Sequence, residues 1–217
     1  MARCPRFLLL LALFVGACGE AAAPTSLRGA ESAASGANVV SGPCVLTGSE
    51  VCFNATDDNC NGLIDEGCGV RTGQVQFVAA WSEPNVDVDL EVIDPYGEAV
   101  EVGHVSQSGL TLEQDCPGKQ QLCYGQNYEN VYLESGPPTA GPYRVTVRLA
   151  GLAGAEPPIV VRLGARIADG SQAYLVELGR EGAGVSKTFV LSAVSGNGPL
   201  GVGSTERGTD PRQDHRR

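Results

Sequence analysis

Histidine and lysine are scarce in this chain: His104, His215, Lys119 and Lys187 are the only four in 217 residues. With so little histidine, the commonest general base and the commonest metal ligand have little place to act. His215 stands in a polar tail and His104 follows a glycine, where a lone histidine is ordinarily a solvated loop residue. No GxSxG, no HExxH and no glycine-rich loop ending in lysine occurs, so nothing marks a serine nucleophile, a zinc protease or a phosphate cradle. Carboxylates are plentiful, yet none of their pairs is singled out for glycoside hydrolysis. The chain reads as non-catalytic, with a hydrolase as the least favoured alternative. Long apolar runs are missing as well: beyond Val15 no segment is long and apolar enough to span a membrane.

The one apolar run that exists is informative. Arg3 and Arg6 precede Phe7 to Val15, and small residues then lead to Cys18. This is the layout of a secretory signal, read here as residues 1–17. Val15, Gly16, Ala17 and Cys18 resemble a bacterial lipobox, which implies that Cys18 is acylated and becomes the mature N-terminus. Two or three acyl chains hold a protein firmly on a lipid bilayer, each buried CH₂ contributing about 0.8 kcal/mol. Gly19 after the cysteine favours, by the same resemblance, the outer membrane of a Gram-negative bacterium.

Removing residues 1–17 takes away two arginines and no acid, leaving thirteen basic and twenty-five acidic side chains and a formal charge of −12. That balance argues against nucleic acid and for divalent cations or cationic surfaces as partners.

Six cysteines remain beyond Cys18: Cys44, Cys52, Cys60, Cys68, Cys116 and Cys123. In an exported protein an even number implies disulfides, and the spacing suggests two bridges among the first four and a local one between Cys116 and Cys123. The rival is a zinc site, but regular spacing of eight, without CxxC knuckles, does not suit zinc.

Residues 18–43 are rich in Ala, Ser and Gly without apolar periodicity. They read as a flexible linker with a reach of roughly 25 Å. The alternative, an Ala-rich helix, is weakened by interior glycines and Pro24. Residues 44–69 form a small Cys-rich module containing DDNCNGLIDEGC. With Asp57 as first position, Asn59, Asn61, the Leu63 carbonyl and Asp65 fall in the order of an EF-hand-type loop, and Gly62 permits its sharp turn. The twelfth position holds Cys68 in place of the bidentate glutamate, so closure would fall to Glu66, Asp58 or water. Two readings stand: a calcium site of modest charge, with Kd on the order of 10⁻⁴ M, or a disulfide-pinned turn whose Asp and Asn side chains bond their own backbone.

The stretch GSEVCFNATDDNCNGLIDEGC resembles the Cys/Asp metal-binding repeats of myxobacterial surface proteins, which are akin to the calcium loops of thrombospondin type 3 repeats. The resemblance implies calcium. It departs at Phe53 to Thr56, where a Cys-Asp-Gly turn is usual, and at Asn59 and Asn61, where acids are usual.

From Gln74 the pattern becomes strict alternation: Val75, Phe77, Ala79 and Trp81; Val86, Val88, Leu90 and Val92; Tyr143, Val145, Val147 and Leu149. Further strands are expected at 129–134, 159–165, 173–178 and 186–191, punctuated by turns such as Asp94 to Gly97. Residues 70–195 therefore read as an antiparallel β-sandwich in an all-β chain, and 196–217 as a polar tail. Asp87, Asp89 and Glu91 share one face of their strand. If the strand carrying Arg144 and Arg148 is its neighbour, these charges pair across strands; if not, Asp87 and Asp89 offer a second calcium site. Trp81, Asp87 to Val92, Asp94, Pro95, Gly97, Leu110 to Asp115, Glu129 to Tyr132 and Gly141 to Val147 resemble the DUF2135 β-sandwich family. That implies an exported, non-catalytic module; Glu91 stands where the family usually has histidine.

The expected function is a lipid-anchored envelope protein that binds a polysaccharide or protein at the cell surface. Tyr124 and Tyr128, beside the Cys116–Cys123 loop, are the candidate ligand-stacking rings. A purely structural envelope lipoprotein is the alternative.

Overall fold

A computed structural model describes residues 29–32, 37–40, 44–118, 123, 125–168 and 170–193. The signal segment, Cys18, Tyr124 and the tail 196–217 lie outside the described residues. Among the described residues there is no helix, and ten strands form two antiparallel sheets. In chain order they are β1 (Gly29–Ser32), β2 (Ala37–Val40), β3 (Val75–Trp81), β4 (Asp87–Ile93), β5 (Leu110–Gln114), β6 (Tyr128–Leu133), β7 (Gly141–Gly151), β8 (Ile159–Ile167), β9 (Gly170–Leu178) and β10 (Gly184–Leu191). One sheet runs β1-β10-β7-β4 and the other β2-β9-β8-β3-β6-β5.

Alternation decides what lies between the sheets. Val88, Leu90 and Val92 of β4 and Tyr143, Val145, Val147 and Leu149 of β7 meet Phe77 and Ala79 of β3, Leu163 of β8 and Tyr174 and Val176 of β9 in one buried cluster. Phe189 packs at 5.3 Å from Phe77 and 5.9 Å from Tyr174, ring centre to ring centre. Tyr143 is buried, and its hydroxyl donates to the Thr139 carbonyl at 2.6 Å, which fixes the chain entering β7; burial pushes its phenol up to about 12.

β3 departs from simple alternation, because all seven of its residues are buried. Its inward side faces the sandwich core, and its outward Val78 and Ala80 join Tyr128 in a second apolar cluster with Ala55, Ile64 and Val70. The Cys-rich module thus lies on the outer face of the six-stranded sheet. It is held internally by Cys44–Cys60 and Cys52–Cys68, each closing 16 residues, while Cys116–Cys123 closes seven.

The segment expected to be a flexible linker contributes β1, paired with β10, and β2, paired with β9. Its Ala, Ser and Gly content carries no strand signal; two open sheet edges supply the partners instead.

Candidate functional site

Three glycine and asparagine positions shape the loop 57–66. Gly62 takes a φ of 84°, which lets the chain turn back within reach of Asp57. The Asp57 carboxylate receives the Asn61 amide on Oδ1 at 3.1 Å, and the Gly62 amide on Oδ2 at 2.8 Å. Asn59 Oδ1 accepts the Asn61 N–H at 3.0 Å, and Asn61 Oδ1 accepts that of Leu63 at 2.7 Å. The other ends of both amides converge: Asn59 Nδ2 and Asn61 Nδ2 each lie 2.5 Å from Glu66 Oε1.

Glu66 Oε2 is buried and accepts no hydrogen bond among the described residues. A buried carboxylate oxygen without a donor is costly unless a positive charge meets it. Asn59 Oδ1 and Asn61 Oδ1 each accept one backbone N–H and keep a second lone pair, so with the carboxylates of Asp57 and Glu66 they are the oxygens this loop could offer a hard cation. Asp57 and Glu66 are the only acids in that set. Among the described residues no group of three or more His, Cys, Asp or Glu side chains is placed to hold a metal ion.

Asp65 has a different engagement. It is fully buried, and its two oxygens accept the amides of Asn54 and Ala55 at 3.1 and 2.9 Å. Burial raises its pKa, and the backbone donors partly offset this. Glu50 ties the module together: Oε1 accepts from Asp58 and Asn59, and Oε2 from Asp65. Burial, then the charge of Glu66, raises its pKa. Its signal is the acid two residues before Cys52 in GSEVC.

The sandwich carries a second feature. Where β4 and β5 end the two sheets on the same side, they part over a cleft of about 830 Å³. Asp89, Glu91, Glu101, Glu113, Asp115 and Glu129 line it against one guanidinium, that of Arg148. Glu129 stands at 2% exposure and accepts from the Leu90 amide at 2.7 Å and the Cys116 amide at 3.1 Å. Burial drives its pKa well above the ordinary glutamate value, and Asp115 and Asp89 add to the rise. Asp87 and Asp89 are raised too, each chiefly by burial.

β4 and β7 are neighbours, with Asp89 opposite Arg148. Arg148 donates to Asp89 and, at 3.1 Å, to Glu91, the cross-strand pairing expected for neighbouring strands, with one guanidinium shared by two carboxylates. Tyr128 is 4% exposed and stacks on Phe53 of the module at 5.3 Å. Its ring is therefore part of the seam between module and sheet and is not offered to a ligand. His104 is exposed and meets Glu98 at 2.7 Å.

No protein-family model, curated protein or solved structure matches the chain.

Proposed function

We propose that this chain is a lipid-anchored cell-envelope protein. In this reading its disulfide-held module binds calcium, and its non-catalytic sandwich binds a polysaccharide or protein through the acidic cleft. The observation that carries the calcium reading is the buried, unpartnered Glu66 Oε2 beside the amides of Asn59 and Asn61. Those residues with Asp57 would hold the ion, and calcium would supply the positive charge that this oxygen otherwise lacks. The lipid anchor rests on the residues around Cys18, and the outer membrane on Gly19. The cleft has the volume of an ordinary ligand site, and its excess of carboxylates favours ligands bearing cationic groups.

Calorimetric titration of the oxidised protein with Ca²⁺ tests the first part. One site, lost in Asp57→Ala combined with Glu66→Gln, is expected; absence of heat at millimolar Ca²⁺ refutes it. For the cleft, retention of envelope polysaccharides and proteins on immobilised protein is compared with Glu101→Lys. Equal retention by both moves the ligand site elsewhere. A purely structural envelope role is favoured by one observation, the cross-strand pairing of Arg148 with both Asp89 and Glu91, and would be left standing if nothing is retained.

A further inference from the structure

We infer that Ser171 of β9 is a positioning residue for the cation of the 57–66 loop, and that filling the loop stabilises the sandwich together with the module. The inference rests on the calcium reading above and concerns a residue 114 positions from the loop's first acid. Ser171 Oγ donates to Asp57 Oδ2 at 2.8 Å, and the Gly62 amide donates to the same oxygen at 2.8 Å. Two donors occupy both lone pairs of Oδ2. Oδ1 holds only the longer contact from Asn61 at 3.1 Å, so it is the oxygen with capacity left for a cation. Ser171 therefore selects which carboxylate oxygen turns to the ion. Groups that orient a metal's ligands typically govern affinity by tenfold or more.

The rest of the seam ties the loop to the same sheet. Arg162 of β8 donates to the Asn54 carbonyl at 3.4 Å and to Thr56 Oγ1 at 3.3 Å. Ile64, inside the loop, is 1% exposed and packs with Val78, Ala80 and Tyr128. The backbone of Ala55 lies so close to Gly164 of β8 that no side chain fits between them. A loop and its preceding residues 54–56, fixed on four strands, cannot lose their shape without disturbing them, so free energy of ion binding is shared with the sandwich through linkage.

The test uses the oxidised chain, with Ca²⁺ titrated by calorimetry and unfolding followed by the fluorescence of Trp81, the single tryptophan and a core residue of β3. Expected for Ser171→Ala is a roughly tenfold weaker Ca²⁺ affinity with the melting temperature in chelator little changed. Ser171→Thr, which restores the hydroxyl, should recover the affinity. In wild type the Trp81 transition should rise by several degrees at Ca²⁺ a hundredfold above Kd. Equal affinity in wild type and Ser171→Ala overturns the positioning role while leaving calcium binding intact. A Trp81 transition that ignores Ca²⁺, in a wild type that binds it, overturns the linkage. A wild type that binds no Ca²⁺ overturns the calcium reading itself.

Discussion

A Cβ built on Gly164 of β8 would stand 2.4 Å from the carbonyl oxygen of Ala55. The contact is backbone against backbone, so no flexible side chain can yield. Gly164→Ala should push the module off the sheet and cost about 1–3 kcal/mol. Urea unfolding checks it against Gly179→Ala, where a Cβ meets nothing within 4 Å and the midpoint should hardly move.

Glu129 makes stability depend on pH in a defined direction. Its folded pKa lies above the ordinary value of 4.5, so between that value and the folded one the native state holds more protons than the unfolded. Stability contributed by the protonated form is complete below pH 4.5 and is lost as pH rises through the folded pKa. In Glu129→Gln this fall should flatten. The variant should also be less stable at acid pH, because an amide has one acceptor oxygen for two backbone donors, Leu90 and Cys116. Unfolding free energies measured from pH 4 to 8 in both proteins decide it.

Arg148→Ala removes the shared partner of Asp89 and Glu91. These side chains are partly exposed, so the loss should stay under about 1 kcal/mol. It should shrink further in high salt, which screens the carboxylates left facing one another. Denaturation midpoints at low and high ionic strength provide the measurement.

Opening Cys52–Cys68 by serine substitution frees a 16-residue closure and should cost about 3 kcal/mol, against about 2 kcal/mol for the shorter Cys116–Cys123 closure. The first change should also loosen Phe53, whose ring stacks on Tyr128. Limited proteolysis near Phe53 should therefore accelerate in the first variant and not in the second.

Much of the sandwich was legible because period two is a direct consequence of a pleated strand with one buried face. Val75 to Trp81, Val86 to Val92 and Tyr143 to Leu149 point inward as their spacing implies. The Asp94 to Gly97 turn was equally plain: Asp94 Oδ1 accepts the amides of Tyr96 and Glu98, and Gly97 takes a φ of 83°. β1 and β2 left no trace in composition, since neighbouring strands define them. The docking of the module did leave one, in β3. VQFVAAW is apolar at Val78 and Ala80 as well as at the inward positions, and a strand apolar on both faces is covered on both. For Tyr128 the sequence shows proximity to a loop and not the side of the sheet its ring occupies, which is the side covered by Phe53.

At the loop 57–66 the order of residue types was legible, but the division of labour was not. Asp65 fits the spacing of a ligand, yet the positive φ of Phe53 and Ala55 turns the amides of Asn54 and Ala55 onto its oxygens. Glu66, one residue later, is the acid that faces Asn59 and Asn61.

The entry of the chain across both sheets has a mechanical meaning. A pull arriving from upstream of Gly29 is borne first by the four residue pairs of β1 with β10, and then by the four of β2 with β9. Only when both have peeled away does the load reach Cys44, where it passes through sulfur to Cys60 and so directly into the loop 57–66. The first elements to yield are the two short strands, and the loop feels tension only after both have gone.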